Sequence, residues 1–253
     1  MGTTALFAPL VEELEDRVRR QEQARAEVER LAQANRRKIF VEGDSDARII
    51  QKALEVFAPD KADEIDIETK DGAGINYVID MLQSWRSWAK HHPELPKAAG
   101  LLDLDPEAKK ALQKWNDVPA NIESAKCFSL PTPPHLVPAL GAGFRVPVVL
   151  ECLYDRDAWA WADDHGHLKA RNVPSVIPQE LNNQIVQGET TLDEHLHDDW
   201  AIFVKKEFKQ EGKGPMARHF AGKSADDFRE RMSVLEPLIT AIVAYLFPED
   251  ERD

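Results

Sequence analysis

The sequence predicts an α/β fold: a parallel sheet of about four strands flanked by helices, with a long helix before it and a mixed, largely helical extension after it. Three observations predict it. Short apolar runs at 38–42, 64–69, 98–102 and 126–130 alternate with stretches of helical apolar spacing, the pattern of parallel strands joined by right-handed crossovers. Gly and Pro punctuate the transitions, at Pro59, Gly72, Gly74, Pro93, Pro96 and Pro106. After Pro131 the texture changes, and residues 131–147 hold five prolines and two glycines. These breaks divide the chain into an N-terminal helix (1–37), a core (38–135) and an extension (136–253).

Taken in order, residues 5–37 contain no Gly and only Pro9, and Val11, Leu14, Val18, Val28 and Leu31 recur at helical spacing between dense Glu and Arg. Gln21 and Arg25 interrupt the stripe, so a helix packed on its own domain and a homodimer or partner contact both fit. The first strand ends in Val41-Glu42-Gly43, and a helix from Ala47 to Phe57 buries Ile49, Ile50, Ala53, Leu54 and Phe57. The alternation at 64–69 is a second strand. A turn at 71–74 leads to a helix over 75–89 with Val78, Ile79, Leu82, Trp85 and Trp88 inward. The third strand, 98–102, runs into Asp103-Leu104-Asp105. Pro106 opens the next helix with Asp105 as its N-cap. In the extension, 146–153 is an apolar run in which Val148-Val-Leu-Glu151 reads as a strand closed by Glu151, and 226–247 is a single core-facing helix.

Bulk properties narrow the class. A hydrophobic share of 43% is ample for a core, and no apolar run approaches the ~20 residues needed to cross a bilayer. The start of the chain is acidic and lacks the pattern of a signal peptide, so a cytoplasmic location is expected. Cys127 and Cys152 make neither a disulfide framework nor a zinc site. A net charge of −13 argues against coating nucleic acid by bulk attraction. A polyanion would need local clusters, either Arg36-Arg37-Lys38 or the set Lys205, Lys206, Lys209, Lys213, Arg218 and Lys223. Gly222-Lys223-Ser224 is not a phosphate loop, because its first Gly would fall at Ala217 and no strand precedes it. The pair His165 and His167 reads as loop rather than as zinc ligands.

The chemistry lies at the strand ends. Ligands of open parallel sheets gather at the carboxyl edge, where Glu42, Asp103 and Asp105 all fall. Converging carboxylates repel unless protonated or neutralised, and oxygen ligands of this kind suit Mg²⁺ or Mn²⁺. Two ions about 4 Å apart would serve phosphodiester cleavage. Glu151, closing its apolar run, is the candidate for completing a second ion's ligands. Each acid also has a plainer reading: Asp46 as a first-turn charge on a helix dipole, Asp105 as a cap and Glu151 as a solvated edge residue.

Val41-Glu42-Gly43-Asp44-Ser45-Asp46 together with Asp103-Leu104-Asp105 resembles the Toprim domain, in the form found in OLD-family nucleases and their relatives in anti-phage defence. The resemblance covers roughly residues 38–135. It implies a Rossmann-like sheet and a metal-dependent endonuclease hydrolysing DNA or RNA, tRNA among the substrates. It implies that Asp46 joins Glu42, Asp103 and Asp105 as a metal ligand, that a later acid such as Glu151 contributes, and that Lys213 in Glu211-Gly-Lys-Gly214 stabilises the charged transition state. Full-length OLD proteins carry an ATPase. This chain has no phosphate loop, so an ATPase would be a separate partner.

Other classes fit less well. A topoisomerase needs a tyrosine nucleophile, and Tyr77, Tyr154 and Tyr245 lie in no recognisable setting; a primase usually carries a zinc module. In a phosphatase or receiver domain the Asp-x-Asp pair closes the first strand and is not followed by Pro106-Glu107. An inactive Toprim interaction module, using the N-terminal helix, is the remaining alternative.

Overall fold

The computed structural model describes residues 4–70, 72, 74–116 and 123–248. Helix α1 (Thr4–Ala32) leads to strand β1 (Arg37–Phe40), helices α2 (Asp44–Phe57) and α3 (Pro59–Ala62), and strand β2 (Ile65–Glu68). Then come α4 (Gly74–Ala89), β3 (Ala98–Leu102), α5 (Pro106–Asn116) and β4 (Ala125–Ser129). The extension comprises α6 (Val137–Gly141), α7 (Arg156–Asp164), β5 (Leu168–Ala170), α8 (Gln179–Val186), α9 (Ala201–Lys205), β6 (Lys206–Phe208), α10 (Gln210–Ala221), α11 (Ala225–Arg231) and α12 (Glu236–Leu246). Of the expected turn at 71–74, Asp71 and Ala73 lie outside the described residues.

The four core strands form one parallel sheet in the order β2-β1-β3-β4, as the alternation of strands and helices predicts. The chain steps from β1 outward to β2, then back across β1 to β3. The direction of the crossovers therefore reverses between β1 and β3, and the carboxyl ends of those two strands are the switch point. Successive strand residues face opposite layers. Ile39, Val41, Ala99 and Leu101 bury against Ile49, Ile50, Ala53 and Leu54 of α2, in a core shared with the extension. Phe40, Ala98 and Leu102 bury against Val78, Leu82 and Trp85 of α4 and Val28 and Leu31 of α1. Gly100 permits the close approach of α4, since a Cβ there would lie 2.5 Å from Leu82 Cδ1 and 2.8 Å from Val78 Cγ1.

The long first helix ends at Ala32, short of the expected 37, in a turn that carries Asn35 at φ 47°, a left-handed conformation Asn tolerates. Its Ala24, Val28 and Leu31 are buried, but Leu10, Val11, Leu14 and Val18 are about half exposed. Within the sheet, Lys38 is 1% exposed, and its ammonium donates to Asp66 and, at 3.3 Å, to Glu68 on the neighbouring strand.

Two expectations for the extension fail. Residues 146–153 do not form a strand. Val148 makes one antiparallel bridge with Leu104, after which Leu150–Leu153 wind into a 3₁₀ turn. Pro147 has no N–H to give a ladder, and the Leu150 N–H is taken by the Asp103 side chain at 3.2 Å instead of a strand neighbour. The single helix over 226–247 is two, α11 and α12, separated by a 3₁₀ turn at Ser233–Leu235. Pro237 explains the break: it lacks the N–H that would continue the ladder, and its ring excludes the carbonyl four residues earlier. Among the described residues no helix is long and apolar enough to cross a membrane.

Candidate functional site

Strand β1 stops at Phe40, and Val41 makes a last ladder bond from its N–H to Glu68 O at 3.0 Å. Glu42 thus stands just beyond the strand, at the switch point. Its Oε1 accepts the Asp103 backbone N–H at 3.1 Å, tying the end of β1 to the end of β3. Gly43 is extended (φ −158°), and a Cβ there would meet nothing closer than Asp46 Oδ2 at 3.7 Å, so the local fold does not demand glycine. Asp46 lies in the first turn of α2 with its carboxylate turned back over the strand end. Asp44, two residues earlier, faces solvent.

Asp103 follows β3 and accepts the Leu150 N–H through Oδ1, which draws the 148–153 segment across the sheet edge. That segment delivers Glu151 from a 3₁₀ turn rather than from the expected strand end. Glu151 is 1% exposed, and its backbone carbonyl is fixed by Trp159 Nε1 at 2.8 Å. Its Oε1 pairs with the Lys213 ammonium at 3.1 Å, while Oε2 has no donor among the described residues. Lys213 sits in the first turn of helix α10 and not in a Gly-rich turn. Gly212 makes this placement possible, because a Cβ there would come within 2.6 Å of His167 O. Helix α10 packs on α2, so the cation of one helix and Asp46 of the other meet over the same point.

The charges of Glu42, Asp46, Asp103, Glu151 and Lys213 act on one another here. Burial, reinforced by Asp46, Glu42 and Glu151, pushes the Asp103 carboxyl up to about 9. Burial and the Glu151 charge push Asp46 to about 7, opposed by Lys213. Glu42 is raised by burial against the lowering effect of the Asp103 N–H. Lys213 is raised because the acids around it outweigh its own burial. The sequence-predicted set is therefore brought together with one exception. Asp105 caps α5, accepting the Ala108 N–H at 2.7 Å, and touches the cluster only through its charge on Glu42.

A cavity of about 10 Å³, lined by Glu42, Asp46, Asp103, Leu150 and apolar neighbours, lies among the acids. That is about the smallest space that holds one water-sized species. Among the described residues, no three carboxylate, imidazole or thiol side chains stand close enough to hold an ion in their present positions. The hydrogen bonds explain why: Glu42, Asp103 and Asp105 are each turned toward a backbone N–H. The chemistry of the donor set nonetheless fits a hard divalent cation. It consists of carboxylate oxygens alone, and the buried Glu151 Oε2 has no donor among the described residues.

Sequence reasoning missed two contributors, the Leu150 N–H and Tyr154, and it noted Gly212 beside Lys213 without its role, the close approach of α10 to His167. The fully buried Tyr154 stacks on Phe220 at 4.3 Å beneath the acids, and desolvation with the charges of Glu151 and Asp46 holds its hydroxyl well above the usual range. No motif marks either of the two. Most of the expected basic clusters are already engaged: Arg36 and Lys38 pair with Asp66, Arg37 with Glu64, Lys205 with Asp193, Lys206 with Asp163, Lys213 with Glu151 and Lys223 with Asp227, and Lys209 donates to the Gly166 carbonyl, whereas Arg218 is exposed. Among the described residues Arg48 and Lys52 on α2 and Lys109 and Lys110 on α5 have no ion-pair partner, and both helices begin at the site. No family model, no curated protein and no solved structure matches the chain. Fold and site together define a parallel α/β protein with an acidic, lysine-bearing switch point.

Proposed function

We propose that the protein is a divalent-metal-dependent phosphodiesterase of nucleic acid, a nuclease of Toprim type. The observation that carries this reading is Glu151: a carboxylate withdrawn from water beside Asp46 and Asp103 at the switch point of a parallel sheet, with the Lys213 ammonium against one oxygen and, among the described residues, no donor on the other. One ammonium leaves this cluster of acids under-neutralised, and a divalent cation would complete it. Glu42, Asp46, Asp103 and Glu151 are the residues that would hold Mg²⁺ or Mn²⁺, with Asp105 kept at the rim by its capping bond. When bound, the metal supplies polarisation of the phosphate and activation of water. Lys213 places its ammonium where charge develops on the phosphoryl oxygens, and Gly212 sets its height. Arg48, Lys52, Lys109 and Lys110, without ion-pair partners among the described residues, would offer cations to the flanking phosphates. A role in anti-phage defence, with a separate ATPase as regulator, belongs to the same proposal through the motif resemblance.

The test is incubation of the chain with DNA, RNA and tRNA in Mg²⁺ or Mn²⁺, beside Glu42→Ala and Asp103→Asn. Metal-dependent cuts lost in both variants support the reading; a chain that neither binds metal calorimetrically nor cuts any substrate overturns it. A second reading, a Toprim-like interaction module without turnover, is favoured by one observation. No three potential ligands converge among the described residues, and Lys213 already neutralises part of the Glu151 charge.

A further inference from the structure

The exposed half of α1 carries a seam that nothing among the described residues covers. Leu10, Val11, Leu14 and Val18 are 54, 49, 51 and 53% exposed, although the same helix is buried from Ala24 onward. At 1.5 Å per residue, the stretch before Val18 extends about 20 Å along the helix. Val11, Leu14 and Val18 follow the alternating four- and three-residue steps of a two-stranded coiled coil, with valine at the a positions and leucine at d. Leu10 and Arg17 fall at g, and Glu22 at e. Arg17 and Glu22 flank the seam, are exposed, and make no ion pair among the described residues, whereas the neighbouring Arg19 and Arg20 pair with Asp16 and Asp80 of the same chain.

We propose that the N-terminal half of α1 is a homodimerisation surface, its occupant the same segment of a second copy in parallel register. In that register Val11, Leu14 and Val18 meet their own counterparts. Arg17 of each copy, five residues before Glu22, meets Glu22 of the other, so two interchain ion pairs close the flanks. The choice of β-branched residues at a with leucine at d selects two parallel strands over higher assemblies. Gln21 and Arg25, at the next d and a positions, end the seam where α4 takes over the packing of the helix. The surface lies away from the acidic site, so the inference stands whether or not the protein hydrolyses phosphodiesters.

The experiment is sedimentation equilibrium of the full chain over a range of concentrations, with circular dichroism as the folding control. Wild type is expected to rise from 28.6 kDa toward twice that mass. Leu14→Glu, at a position already exposed in the protomer, should stay monomeric with an unchanged spectrum. Arg17→Glu and Glu22→Arg should each weaken the dimer about tenfold, since each turns two attractive pairs repulsive. Mixing those two variants should restore it, because the heterodimer regains both pairs. A Leu14→Cys chain should cross-link to itself under mild oxidation more readily than wild type, as parallel register requires. A wild type that remains monomeric up to millimolar concentration overturns the proposal. So does a dimer indifferent to Leu14→Glu, or single-charge variants whose mixture gains nothing.

Discussion

Two charged side chains are buried among the described residues, Lys38 and Glu151, each 1% exposed. They sit in opposite circumstances. Lys38 lies within the sheet and reaches two carboxylates, Asp66 and Glu68, that are themselves partly open to water. Its charge is answered by opposite charge, and its donors have acceptors. Glu151 lies at the carboxyl edge beside the acids Asp46 and Asp103, with one ammonium against its Oε1 and, among the described residues, no donor on Oε2. Lys38 is what a fold does with a charge it must bury. Glu151 is what a fold tolerates when the cost serves something other than the fold.

The contrast can be broken experimentally. The largest effect is expected from Lys38→Ala, which leaves Asp66 and Glu68 without their cation and opens a hole in the core. A loss of about 3 kcal/mol in urea unfolding is expected, and a loss near zero would show that the pair is not structural. Gly212→Ala should cost about 2 kcal/mol, because its Cβ cannot coexist with His167 O at 2.6 Å. It should also lift Lys213 away from the acids, and with it any metal-dependent activity. Glu151→Gln should cost far less than Lys38→Ala. It removes a like charge beside Asp46 but also the partner of Lys213, so the metal-free protein's stability should change by no more than about 1 kcal/mol while divalent-cation binding is abolished. Destabilisation with binding intact would place Glu151 with Lys38 as a structural charge.

Proton linkage sharpens the comparison further. Asp46 and Asp103 are raised from 3.8 to about 7 and about 9, so the stability they confer is fully present below pH 3.8 and is lost as pH rises through those values. In chelator, the melting temperature should therefore fall between pH 5 and pH 9, and Mg²⁺, which binds the deprotonated carboxylates, should remove the fall. A pH-independent melting temperature in chelator would mean that neither burial nor the neighbouring acids raise these carboxyls. The smallest effect is expected from Asp103→Asn. With its pKa near 9, Asp103 is neutral at pH 7 without metal, so the substitution should leave the chelated protein's melting temperature nearly unchanged while erasing the Mg²⁺ dependence.

The sheet was legible in the sequence because its signals are local. Ala98–Leu102 lies where the apolar run places it, and Pro106 and Asp105 open α5 as expected. Glu42, Asp46 and Asp103 were legible for a related reason: in a parallel sheet the residues after each strand share one edge, so strand order alone brings them together. The extension was harder to read. The apolar run before Glu151 looks like a strand, but its conformation depends on a bond from Leu150 to Asp103, a partner far away in the chain. Pro237 was an available signal for the break between α11 and α12, outweighed by strong apolar spacing on either side of it. Gly212 could not be interpreted without knowing that His167 passes beneath it.

The bond from the Asp103 amide to Glu42, and the ion pair between Glu151 and Lys213, join stretches of chain that emerge at very different times during synthesis. Contacts of such long sequence separation form late in folding. A ribosome-bound or prematurely truncated chain ending before α10 lacks the lysine altogether, and one ending before the 3₁₀ turn lacks the buried acid as well. The acidic edge is therefore complete only once α10 has been synthesised.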